Sequence, residues 1–183
     1  MKCPTSFILG LLIVFTVTSA DADTDPPIAA PRIYALAHNL RDIPRERIDH
    51  AVAVALENAT PEITAGLIVT LCWAESRCLP KTHDHTGCGV LQVDPKDMDE
   101  PSSMCAVYAD SIESGIAIGV REIKRLLADH RVHHDLRLAL QYRACGNVAF
   151  DGTCNLAKLR WVDEAMRIAD ILDGKPTRRR PSV

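Results

Sequence analysis

Glu75 is the residue whose neighbours in the chain most invite chemistry. It ends the apolar run Leu71-Cys72-Trp73-Ala74 and is followed by Ser76, Arg77 and Cys78. A carboxyl group in apolar surroundings resists ionisation, and the last turn of a helix disfavours a further negative charge. Both effects favour a protonated carboxyl near neutral pH, which is what a general acid needs to cleave an ether-like bond such as a glycosidic linkage. The plain alternative is an exposed helix-end glutamate paired with Arg77. Shortly downstream, Gly87-Cys88-Gly89-Val90-Leu91-Gln92-Val93-Asp94 is a glycine-bracketed turn entering an apolar segment that carries one amide. Glycine permits close backbone approach to a ligand, and an amide both donates and accepts hydrogen bonds. Read plainly, the same stretch is a turn before a short helix.

Taken in order, these segments resemble the lysozyme superfamily, in particular goose-type lysozymes and soluble lytic transglycosylases. There a Glu-Ser pair ends the catalytic helix, matched here by Glu75-Ser76. A Gly-Leu-Met-Gln segment follows, matched by Gly89-Val90-Leu91-Gln92, and Val93-Asp94 continues in the goose-type manner. A Tyr-Asn-Ala-Gly-like segment has its counterpart in Tyr142-Arg143-Ala144-Cys145-Gly146, with arginine for asparagine and one residue between alanine and glycine. The resemblance spans roughly residues 45 to 170. It implies that Glu75 is catalytic and that Ser76, Gly89, Leu91, Gln92 and Tyr142 bind substrate. Ser76 has a plain role as a helix-end cap, and Tyr142 has one as a core tyrosine.

A second carboxylate would decide the reaction. Inverting hydrolysis needs one ~6.5–9.5 Å away to activate water. Asp84, Asp94, Asp97 and Asp99 all lie in the loop after Glu75, and each is also an ordinary turn or capping residue. Lytic transglycosylases of the resembled family work with one glutamate and form an anhydro product. His83-Asp84-His85 and His130-x-x-His133-His134 lack a firm ligand framework, so no metal and no cofactor are expected.

Helices must position these groups. Ile48, Val52, Ala55 and Leu56 recur at helical spacing, which predicts a helix over about 44 to 58. Thr60-Pro61-Glu62 reads as the start of a second, with Ile63, Leu67, Val69, Leu71 and Trp73 apolar on more than one face, as in a central helix. Residues 79 to 105 read as loop with one short segment at Val90 to Val93. Further helices follow from Ser111, around Leu136 to Tyr142, and from Asn155 until Gly174 and Pro176. The expected fold is mainly α: a lysozyme-like helical domain with a small loop-rich active-site region, stapled by disulfides.

The chain has 183 residues, which fits one domain with short extensions. Met1 to Ala22 reads as a signal peptide, with Lys2, an apolar stretch from Phe7 to Thr18, and small residues at Ala20-Asp21-Ala22. Cleavage after Ala20 and an uncleaved anchor are the alternatives. Residues 23–43 read as a linker or N-terminal arm, 44–174 as the catalytic domain and 175–183 as a basic tail carrying Arg178-Arg179-Arg180, which could aid adhesion to anionic wall polymers. Beyond Cys3, the cysteines are Cys72, Cys78, Cys88, Cys105, Cys145 and Cys154. Six behind a signal suggest three disulfides in a secreted or periplasmic protein. Cys145 with Cys154 closes a short glycine-containing loop. Cys78 with Cys88 would staple the active-site loop, and Cys72 with Cys105 follows by elimination.

An aromatic content of 4% and a formal net charge of −3 argue against nucleic acid as a partner. The resemblance implies an exported muramidase or lytic transglycosylase cutting the β-1,4 linkage between N-acetylmuramic acid and N-acetylglucosamine in peptidoglycan. The partners are then glycan strands, with no stable membrane insertion after signal cleavage, and the protein is expected to be a monomer. A chitin- or chitosan-cleaving enzyme and a catalytically silent, glycan- or partner-binding module are the rivals.

Overall fold

A computed structural model describes residues 29–83 and 87–176. The expected signal, Cys3, Asp84, His85 and the triple arginine lie outside them. Seven α-helices occur among the described residues: α1 (Ala29–Ala37), α2 (Arg45–Asn58), α3 (Ala65–Ser76), α4 (Cys105–Tyr108), α5 (Ile112–Ala128), α6 (Leu136–Cys145) and α7 (Leu156–Leu172). The only strands there, β1 (Thr82–His83) and β2 (Gly87–Cys88), form an antiparallel hairpin with Thr82 opposite Cys88 and His83 opposite Gly87. The protein is thus mainly α, and none of these helices is long and apolar enough to cross a membrane.

Helix α3 is the axis of the core. Every residue from Ala65 to Cys72 is buried, so no face is left polar, and the helix packs against α2, α5 and α7. The covering helices are one-sided. Helix α2 buries Ile48, Ala51, Val52 and Ala55, α5 buries Ile116, Val120, Ile123 and Leu127, and α7 buries Val162, Ala165, Ala169 and Leu172. These sets follow the three-to-four-residue spacing of a helix face.

Helix α3 begins later than Thr60-Pro61 suggests. Thr60 Oγ1 accepts from the Ile63 amide at 3.1 Å and closes a separate turn. Thr64 is the cap, accepting from the Leu67 amide, and the Asp173 carboxylate past the end of α7 accepts from Thr64 Oγ1 (2.5 Å) and the Gly66 amide (2.9 Å). A distant residue therefore fixes the start. The expected arm over 23–43 also differs, because it contains α1. Ile33 and Ala37, one turn apart, are buried against α2 and α7, and Pro31 is tolerated in the first turn.

Among the described residues, three disulfides staple the fold: Cys72–Cys78, Cys88–Cys105 and Cys145–Cys154. The last is the pair expected. The other two correct Cys78–Cys88 and Cys72–Cys105. Arg77 and Cys78 are both left-handed (φ 59° and 53°), so the chain turns back on α3, and the Cys78 amide donates to the Cys72 carbonyl at 2.9 Å. That leaves their Cα atoms 4.7 Å apart, within bridging range. Cys88 then ties the hairpin to α4, where Cys105 lies 5.2 Å away between Cα atoms.

Candidate functional site

The loop after the hairpin is seated by glycines. Gly89 has φ +72°, and a Cβ there would overlap the Tyr108 carbonyl oxygen. On α5, a Cβ at Gly119 would overlap the Leu91 side chain. Helix and loop meet at backbone distance, with Val90 and Leu91 fully buried between them. The next residue, Gln92, is half-buried and left-handed (φ 54°), and its amide Nε2 donates to the Gly89 carbonyl at 2.6 Å.

This packing leaves a cleft of about 480 Å³. Glu75, at the end of α3, lines it with Gln92, Asp94 and Asp97 from the loop, Glu122 from α5, Arg143 and Ala144 from α6, and Ala157, Lys158 and Trp161 from α7. Four carboxylates face two cations, with one indole as an apolar wall. A flat aromatic side chain among hydrogen-bonding groups suits an amphipathic polyol, which offers both C–H faces and hydroxyls.

At the centre is Arg143. Its Nη1 donates to Glu75 Oε1 at 2.8 Å, its Nε donates to Glu122 Oε2 at 2.9 Å, and its Nη2 donates to the Leu91 carbonyl. The side chains of Arg143 and Glu122 are 8% and 4% exposed, against 25% for Glu75. Burial on its own would pull the Arg143 guanidinium down. The charges of Glu122 and Glu75, with their hydrogen bonds, outweigh it and hold the group above its ordinary value. The expected apolar environment of Glu75 is therefore replaced by an ion pair. Helical rotation explains this: Leu71 and Cys72 face the core, while the Trp73 indole donates to the Arg41 carbonyl at 3.1 Å. Nor is Arg77 the partner of Glu75. Its guanidinium lies over the Trp73 ring, 4.9 Å from the centroid, and donates to the Trp73 carbonyl.

The other sequence candidates divide. Gln92 lines the cleft. Ser76 is 3% exposed and donates to the Val90 carbonyl at 2.8 Å, so it braces the loop from behind, and Arg77 is the helix-end cap. Gly89 and Leu91 are buried: the first makes the turn, and the second fills core and offers only its carbonyl to Arg143. Tyr142 does not line the main cleft. Its hydroxyl accepts from Arg131 Nη2 at 2.9 Å, its ring meets Phe150 edge-on, and it faces a smaller recess of about 140 Å³ that shares Asp97, Glu122 and Arg143 with the cleft. Of the loop aspartates, Asp94 and Asp97 line the cleft, while Asp99 is exposed and pairs with Arg125 at 3.9 Å. No group of three or more potential metal ligands occurs among the described residues.

Arg143, Glu122, Lys158 and Trp161 were not among the sequence candidates. Arg143 stood out only as a departure from the resembled motif. Glu122 carried a usable signal, a charge set amid the apolar positions Ile118, Val120, Ile123 and Leu126 of α5. Lys158 and Trp161 lie three residues apart on α7, on one side of that helix. No protein-family model, no curated protein and no solved structure matches the chain.

Proposed function

We propose that this protein is an exported, lysozyme-like peptidoglycan-cleaving enzyme, a muramidase or lytic transglycosylase, with Glu75 as its acid and base. The observation that carries this reading is the meeting of Glu75, Gln92 and Trp161 in one cleft of about 480 Å³, a size suited to a few sugar rings. Glu75 donates its proton to the bridging oxygen as the C1–O bond of the muramyl sugar breaks. The resulting carboxylate then takes a proton from the attacking hydroxyl, either that of the muramyl sugar itself or a water molecule. For the water route, Asp94 and Asp97 are the accessible carboxylates of the cleft, whereas Glu122 lines it almost fully buried and paired with Arg143. Digestion of purified peptidoglycan with mass analysis of the fragments tests the reading. Anhydro ends indicate the transglycosylase and reducing ends the lysozyme, while release from chitin or chitosan instead would reassign the substrate.

A second reading has its own support. The Arg143–Glu75 pair engages the carboxylate that would do the chemistry, as in a catalytically silent module that keeps the cleft for binding glycan or a partner. Binding of peptidoglycan fragments without cleavage would favour it.

A further inference from the structure

A cation against a general acid is an unfavourable arrangement, because it favours the anion when a proton must be carried. The rest of the triad offsets this. Three edges of the Arg143 guanidinium are engaged, and only one depends on Glu75; Glu122 and the Leu91 carbonyl anchor the other two. Arg143 therefore stays seated when Glu75 changes partner. Glu122 lines the cleft but is only 4% exposed, against 25% for Glu75, so Glu75 is the more open of the two to a ligand. The positive charge is balanced from behind whichever form Glu75 takes.

We propose that Arg143 and Glu122 form a fixed, internally neutralised positioning pair that orients Glu75 at the cleft and lets it cycle between charged and protonated forms. The catalytic part of this inference rests on the proposed function; the charge balance itself does not. The other charged or titratable groups facing the triad are Asp94 and Asp97 from the loop, Lys158 from α7, whose Nζ donates to the Ala144 carbonyl at 2.6 Å, and, across the smaller recess, Arg125 from α5 and Tyr142 from α6. On the α3 side, Arg77 is turned onto Trp73. None of these reaches the Arg143 guanidinium in the structure's hydrogen bonds or ion pairs.

The test follows the Glu75 side-chain carboxyl carbon by NMR across pH, with peptidoglycan cleavage measured on the same samples. Glu122→Gln leaves the guanidinium charge uncompensated from behind, so the pH midpoint of the Glu75 signal is expected to fall by about one unit or more. Glu122→Gln with Arg143→Gln removes both charges and is expected to bring it back near the wild-type midpoint. If Glu122→Gln does not fold, Glu122→Asp draws the charge back by one methylene and is expected to move the midpoint the same way by a smaller step. A midpoint that ignores these changes, or a double variant displaced as far as the single one, overturns the proposal. If the midpoint moves as expected but wild-type protein leaves peptidoglycan intact, the charge balance stands and the glycan-cleaving reading fails. If peptidoglycan is cleaved but the midpoint stays put, the glycan-cleaving reading stands and the charge balance fails.

Discussion

Gln92 holds its loop and faces the cleft at once, so its replacement should register twice. Gln92→Ala removes the donor to the Gly89 carbonyl and is expected to cost about 0.5–1.5 kcal/mol of stability. On the proposed reading it also slows turnover by up to about tenfold; thermal melts and initial rates on cell wall separate the two effects. Tyr108 gives a pH-dependent case. Its hydroxyl donates to Glu100 Oε2 at 2.5 Å, beside Arg121. Burial, with the hydrogen bond to Glu100 next, pushes the phenol up to about 12, while that hydrogen bond foremost holds Glu100 below its ordinary value. A phenol raised when folded contributes stability that is full below about pH 10 and lost as pH rises towards 12. A lowered carboxylate contributes above about 4.5 and loses that contribution as pH falls. Tyr108→Phe is therefore expected to melt lower at neutral pH and to show a flatter dependence at both extremes, checked by melts from acid to alkaline buffer.

Among the elements, the start of α3 depends on a residue more than a hundred positions away. Asp173→Ala removes the acceptor for Thr64 Oγ1 and the Gly66 amide, and is expected to destabilise by about 1–2 kcal/mol in denaturant unfolding. This dependence marks where local reading stops. The helices around Ile48, from Ser111, before Cys145 and from Asn155 were legible because apolar spacing and punctuating residues agree there; Ser111 and Asn155 each cap the helix that begins beside them. Helix α1 was not, because prolines near its start mimic a linker and its evidence is two side chains, Ile33 and Ala37, that matter only once α2 and α7 are in place. The site divides in the same way. Glu75 and Gln92 carry sequence signals, but the partner of Glu75 is 68 residues away on α6, and pairing across helices follows from packing. Ser76 and Leu91 sit beside them in the chain and face the interior because of helical rotation and the Gly89 turn.

At the scale of the whole molecule, the cleft is assembled from three helices of the core, the start of α7 and one loop, and the loop is held by Cys88–Cys105. The separation across that bridge is 17 residues, so the double variant Cys88→Ala with Cys105→Ala is expected to lose about 2–4 kcal/mol, read from denaturant midpoints under non-reducing conditions. The same change frees the segment bearing Gln92, Asp94 and Asp97, so activity should fall while α3 and α7 remain folded. Whether Glu75 in this cleft cleaves glycan is read most directly by wild type and Glu75→Gln incubated side by side with purified peptidoglycan, with fragment masses and thermal melts recorded together. The amide keeps the shape of the carboxyl but has no proton of suitable acidity to deliver. Muropeptide release is expected from the wild type and none from a Glu75→Gln protein that still unfolds cooperatively. Equal release by both proteins, or none by a well-folded wild type, would contradict this role of Glu75.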